Sequence, residues 1–199
     1  VGVKATGLQA GAPVQMQWLT AVGTRASASG WTLTQLPLGQ ANAAADGTLD
    51  AKVQIPDQLG GWHTIQLSQA GQVKAQLPYY VLRSFVGIVP NKVKEGDTFS
   101  IHMKGVGWTE LDNTFAVVYD NNYIGYGCGF YSKGDVNMNL VATGGPGTHL
   151  IDLYPALYRG HSTDTWLEHM PYLSFMQDYP GLALGYRVPA IHLAIRITE

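Results

Sequence analysis

The chain has 199 residues, a formal net charge of −2 and only 13% charged residues, with 24 glycines and 11% aromatics. Length allows one large domain or two small ones. The weak, scattered charge excludes an electrostatic footprint for nucleic acid or an anionic membrane, and no apolar run approaches a helical membrane span.

Low charge with abundant Gly, Thr, Val and Tyr suits strands joined by tight turns. From the amino terminus, Gly11 marks a turn and Val14 to Trp18 alternates apolar and polar residues. After a variable middle, the turn Asp46-Gly47 leads to an alternating stretch from Leu49 to Ile55. Gly60 and Gly61 open the strand Gly61-Trp62-His63-Thr64-Ile65-Gln66-Leu67, whose period of two marks one buried face. A short hairpin at Ser68 to Gln72 feeds Val73 to Leu82.

The plan then repeats. Gly147-Thr148-His149-Leu150-Ile151-Asp152-Leu153 reproduces the His-x-Ile-x-Leu strand at an offset of 86 residues. Leu38-Gly39 matches Ile124-Gly125 at 86, and Gly47 to Val53 matches Gly134 to Leu140 at 87. Val3, Leu8, Gly11, Val14, Met16 and Trp18 match Ile88, Val93, Gly96, Phe99, Ile101 and Met103 at 85. Four colinear blocks predict two homologous units, with the boundary near Arg83 to Gly87. Short strands with turn chemistry between them point to antiparallel sandwiches. Pro56, Pro78 and Pro90 are expected at strand ends.

On Leu8-Gln9-Ala10-Gly11, Val93-Lys94-Glu95-Gly96, the Asp46-Gly47-Thr48 turn and the Gly-x-His-x-Ile-x-Leu strand, the chain resembles the tandem immunoglobulin-like (IPT/TIG-like) domains of bacterial envelope and extracellular proteins. The fold expected is therefore all-β: two tandem immunoglobulin-like antiparallel β-sandwiches, residues 1–84 and 85–199. The resemblance implies a structural or adhesive module outside the cytoplasm, secreted or at the cell surface, the periplasm included. The Cys pair and core Trp of antibody domains are absent as a set, Cys128 being the only cysteine.

One stretch departs from the repeat. Between Leu153 and the closing strand Pro189 to Ile197 lies an insertion at about 155–187, aromatic and bearing His. Loops longer than about 12–15 residues are usually functional or disordered, and this one is too aromatic for disorder. His161, Trp166, His169, Tyr172, Phe175 and Tyr179 are its candidate binding residues. His161, Asp164, Glu168 and His169 supply donor types suited to a divalent ion, but in no established zinc spacing, and the expectation is no metal and no cofactor.

The second candidate is the hairpin Tyr119-Asp120-Asn121-Asn122-Tyr123, continuing to Tyr126. Asp-Asn-Asn favours a turn with left-handed residues. The tyrosines offer stacking faces, and Asp120 with Asn121 and Asn122 offers hydrogen bonds to hydroxyls. His63 and His149, in phase with Ile and Leu, are expected as satisfied core residues and not ligands. Cys128, between two glycines, reads as a small buried thiol. GxSxG, SxxK, Walker A and CxxC elements are absent.

The functional expectation is a non-catalytic structural, assembly or protein-binding module of a prokaryotic cell surface, with a protein partner or self-assembly. A carbohydrate-binding accessory domain using the same aromatics is the alternative, with a glycan as its partner. A metal or thiol enzyme built on Cys128, His161 and His169 is the weakest reading.

Overall fold

The structure, a computed structural model, describes residues 1–24, 27–109, 112–129, 133–156 and 190–199. Every regular element among them is a strand. Two compact units form: Val1–Asp57 with Trp62–Val81, and Gln58–Gly61 with Leu82–Glu199.

The first unit contains β1 (Gly2–Ala5), β2 (Pro13–Gly23), β3 (Trp31–Asn42), β4 (Leu49–Lys52), β5 (Gly61–Gln69) and β6 (Gln72–Val81). β1 and β4 pair with each other, and the remaining four strands form a sheet in the order β3-β2-β5-β6. Val14, Met16 and Trp18 of β2 and Ile65 and Leu67 of β5 turn to one side and are buried, as period-two alternation requires. They pack with Val3, Leu8, Leu49 and Val53 into one core. The opposite side is amide-rich. There Gln66 donates to Gln17 at 3.3 Å, and Gln76 donates to Gln66 at 2.9 Å, linking three neighbouring strands.

The second unit contains β7 (Ser84–Val89), β8 (Lys92–Lys94), β9 (Thr98–Lys104), β10 (Thr114–Tyr119), β11 (Asn122–Cys128), β12 (Val136–Val141), β13 (Gly147–Ala156) and β14 (Ile191–Thr198). A three-stranded sheet, β12-β9-β7, and a five-stranded sheet, β11-β10-β13-β14-β8, enclose a core in a sandwich-like layering. Phe99, Ile101 and Met103 meet Phe115, Val117, Ile151 and Ile195 there. Among the described residues its pairings are antiparallel except β14 with β8.

Strand order in the two units can be compared directly. β3-β2-β5-β6 has the same connectivity as β11-β10-β13-β14, and the pair β1-β4 corresponds to β9-β12. In this order β5 falls with β13, β4 with β12, and Leu38-Gly39 with Ile124-Gly125, the positions that three of the sequence blocks relate. The block at offset 85 fails. It equates β2 with β9, whereas β2 pairs with β3 and β5 just as β10 pairs with β11 and β13. Both β2 and β9 are alternating strands behind a glycine turn, so composition and period could not separate them. β7 and β8 are additions of the second unit: one joins β9, the other joins β14.

The equivalence extends to an irregularity. In β3 one residue, Leu38, lies between Gly39, opposite Met16, and Pro37, opposite Gln17. In β11 the same role falls to Ile124, between Gly125, opposite Val117, and Tyr123, opposite Val118. Each is a β-bulge, and each has a glycine at positive φ: Gly39 at 128° and Gly125 at 152°. The strand β3 itself, in the variable middle, carries weak periodicity and is not announced by the sequence. Pro78 is also a correction, since it lies inside β6, where an edge strand tolerates the missing N–H.

Trp18 is fully buried, stacked on His63 with ring centroids 4.4 Å apart and edge-on to Tyr79 at 5.8 Å. Trp18→Ala is expected to destabilise the first unit by about 3–5 kcal/mol. Urea unfolding followed by fluorescence checks this, and a loss no larger than that of an exposed-site variant such as Leu33→Ala would contradict the core placement.

Candidate functional site

The hairpin β10–β11 closes through a two-residue turn. Tyr119 pairs with Asn122, and Asp120 and Asn121 take φ of 46° and 64°. Both central residues are left-handed, the geometry that matches strand twist and that Asp and Asn tolerate best. Asn122 donates to the Asp120 carbonyl at 3.0 Å, tightening the turn.

The turn is fastened to β13 by His149. Its Nδ1 lies 2.5 Å from the Asp120 carboxylate and its Nε2 lies 2.9 Å from the Gly145 carbonyl. Each nitrogen faces an acceptor, so both bonds form together only when both carry protons, in the imidazolium. The other Asp120 oxygen accepts the Leu150 N–H at 2.9 Å. The ring stacks on Tyr119, centroids 5.8 Å apart, and packs where a side chain on Gly144 would collide with it. The Asp120 hydrogen bond, followed by the Gly145 carbonyl, raises the His149 pKa above its ordinary 6.5. The hydrogen bond from His149, followed by the Leu150 amide, lowers Asp120 below 3.8.

His149 is 8% exposed and His63 4%, each on the core side of its strand, with His63 Nδ1 3.2 Å from the Leu19 carbonyl. Tyr119 also faces inward, and its hydroxyl donates to the Thr143 carbonyl at 2.9 Å. Of the hairpin candidates, Tyr119 and Asp120 are thus tied into the unit. Asn121 and Asn122 sit exposed at the tip.

Tyr123 and Tyr126 are placed by the bulge. Without it, residues three apart on a strand point to opposite faces. With Ile124 as the extra residue, Tyr123 pairs with Val118 and Tyr126 with Ala116, and both lie on the side away from the core. The register continues across the sheet. Val118 pairs with Asp152, which pairs with His192, and Ala116 pairs with Tyr154. One face of the sheet therefore holds a row of Tyr123, Val118, Asp152 and His192 beside a row of Tyr126, Ala116 and Tyr154.

Sequence reasoning singled out neither Asp152 nor His192. Asp152 occupies an outward position of the repeated strand, and His192 Nδ1 meets it at 2.7 Å. The Tyr154 hydroxyl approaches the second carboxylate oxygen at 3.4 Å, and its ring stands edge-on to His192, 6.2 Å between centroids. The signal was there as alternation, but it needed the register that joins residues 40 apart in sequence. Burial pushes the phenols of Tyr123 and Tyr154 above their ordinary value, with Cys128 and Asp152 respectively adding to it, so both remain neutral hydrogen-bonding groups. Tyr123 is 43% exposed, Tyr126 46%, and the neighbouring Ile124 and Leu150 49% and 54%.

Cys128, half-buried, stands on the same side as Thr114, with Sγ 3.3 Å from the Thr114 hydroxyl. Among the described residues no three His, Cys, Asp or Glu side chains gather as metal ligands, and no helix is long and apolar enough to cross a membrane. The insertion candidates His161, Trp166, His169, Tyr172, Phe175 and Tyr179 lie outside the described residues. No protein-family model and no curated protein sequence matches the chain.

The His149–Asp120 latch predicts a pH profile. A raised histidine contributes stability fully below its ordinary 6.5 and loses it as pH climbs through the raised value. A lowered carboxylate contributes fully above 3.8 and loses it as pH falls through the lowered value. The latch is complete between these limits and weakens on both sides. Urea midpoints of wild type and His149→Gln are expected to differ most inside that window and to converge outside it; parallel profiles would remove the latch from the account.

Proposed function

We propose that the chain is a non-catalytic structural or protein-binding module of a prokaryotic cell surface or extracellular structure, secreted or surface-displayed, built from two immunoglobulin-like sandwiches of the IPT/TIG kind. The strand order supports the immunoglobulin-like reading. β7-β9-β12 reproduces the A-B-E side of such a sandwich and β10-β13-β14 its C-F-G side, with β11 added next to C. The first unit keeps the same plan without the opening A strand. The homologous boundary near residue 84 belongs to this reading as well.

The observation that carries the binding role is the bulge in β11. It turns Tyr123 and Tyr126 to one face, with exposed Ile124 and Leu150 close by in the same hairpin and its neighbour. Exposed aromatics and aliphatics grouped on a rigid sheet, rimmed by polar Asn121, Asn122 and Asp152, have the composition of a protein contact. The insertion aromatics, Trp166, Tyr172, Phe175 and Tyr179 among them, are part of the same proposal.

The test is a photo-reactive phenylalanine at Tyr123 in the protein in its native cells, with the same group at exposed Asp50 as comparison. Adducts from position 123 to an envelope or secreted protein, or to another copy of the chain, are expected, together with fractionation outside the cytosol. Adducts no more frequent than at position 50, or a cytosolic location, would overturn the reading.

A second reading, carbohydrate binding, has its own observation: Tyr123 and Tyr154 in neighbouring rows beside the Asp152–His192 pair. Phenol rings stack on the apolar face of a pyranose, and a carboxylate–imidazole pair bonds its hydroxyls. Calorimetry with neutral oligosaccharides is expected to show binding that Tyr154→Ala abolishes. The absence of heat for the wild type removes this reading.

A further inference from the structure

Among the described residues β3 is an edge of the first unit's four-stranded sheet. Its twelve residues, Trp31 to Asn42, make it the longest strand among the described residues, and none of them is charged. Leu33, at 73% exposure, is the most exposed large hydrophobic residue described. A long edge presents unpaired backbone donors and acceptors, and natural sheets blunt it with lysine, proline, bulges or brevity. The other strands that border this unit do so: β6 carries Lys74 and Pro78, β1 carries Lys4, and β4 carries Asp50 and Lys52. In the second unit β7, β11 and β12 are also uncharged, but they run only six, seven and six residues.

β3 is protected over one half only. Pro37 lacks an N–H and Leu38 is the bulge, so pairing from Pro37 to Asn42 is broken up. From Thr32 to Leu36 the strand has neither device, and Thr32, Leu33 and Gln35 are exposed.

We infer that this half of β3 docks the same segment of a second copy of the chain, antiparallel, about a two-fold axis through Leu33. An edge can be completed only by another extended backbone, and a second copy supplies one with no charge to repel it. The two-fold register is self-complementary. Leu33 meets its own copy, Thr32 meets Thr34, and Trp31 meets Gln35. A shift of one residue either way leaves Leu33 against Thr32 or Thr34. The contact joins two four-stranded sheets edge to edge. A strip this short buries less than about 1,000 Å², so the association is weak in dilute solution and gains strength where copies are concentrated on a surface. The inference deepens the assembly reading by naming a partner and an edge, and it does not involve the Tyr123 face.

The experiment is sedimentation velocity and light scattering of the full chain over a concentration series. The wild-type mass is expected to climb from one chain toward two. Leu33→Lys and, separately, Gln35→Pro are expected to abolish the rise, while Tyr123→Ala with Tyr126→Ala leaves it unchanged. In a Cys128→Ser background, Leu33→Cys is expected to form an interchain disulfide on mild oxidation many-fold faster than Lys74→Cys on the opposite edge, because facing Cα atoms in an antiparallel pair fall within disulfide range. A wild type that stays at one chain throughout overturns the inference. So does association that Leu33→Lys and Gln35→Pro leave intact, or equal cross-linking at positions 33 and 74. Association lost only in the Tyr123/Tyr126 variant sinks the edge while sparing the broader reading. Association through Leu33 without adducts from position 123 does the reverse.

Discussion

An imidazole placed on the apolar side of a sheet has to find an acceptor for every N–H it keeps, and that requirement organises the described part of the second unit. His149 occurs where a strand of strict alternation would put a valine. Its neighbours therefore have to be polar at the right points: a carboxylate from the β10–β11 turn and a carbonyl from the Gly144-Gly145 loop. The turn supplies that carboxylate only because Asp120 adopts a left-handed conformation, and the ring fits only because residue 144 has no side chain. One charged pair thus fixes the tip of a hairpin whose outer residues are the strongest binding candidates. In the first unit His63 stacks on Trp18 and meets the Leu19 carbonyl. Strands of like sequence can carry the same residue in different surroundings.

The bulge acts on the other side of the same hairpin. A strand has two faces and a period of two, so adding one residue exchanges the faces beyond it. In β11 this brings two tyrosines together that regular pleating would separate. In β3 the equivalent irregularity leaves Pro37 and Leu38 where an edge would otherwise invite pairing. The same backbone device groups side chains in one unit and limits contact in the other.

Much of the fold was legible because its signals are local. The His-x-Ile-x-Leu strands, the inward Phe99, Ile101 and Met103, and the left-handed Asp120-Asn121 turn all follow from period and turn chemistry. What failed required pairing. Val14 to Trp18 and Phe99 to Met103 look alike as text, yet hydrogen bonds assign them to non-equivalent sheets, because alternation says which side is apolar and nothing about neighbours. β3 was missed because an edge strand of Thr, Gln, Pro and Gly has little face to reveal. The Asp152–His192 contact was missed because it joins outward positions on strands widely separated in the chain. The hairpin candidates divided along the same line: Tyr123 and Tyr126 point outward through a register shift that composition does not encode, whereas Tyr119 and Asp120 are tied inward.

The amide ladder Gln17–Gln66–Gln76 has a consequence of its own. Three adjacent strands are laced on their outer side by groups that neither titrate nor depend on counter-ions. A surface held by ion pairs loosens in brine and changes sign with acidity. One held by carboxamides offers the same donors and acceptors across both. The lacing of these three strands is thus indifferent to acid and salt, whereas the His149–Asp120 pair that fastens the hairpin of the second unit responds to acidity.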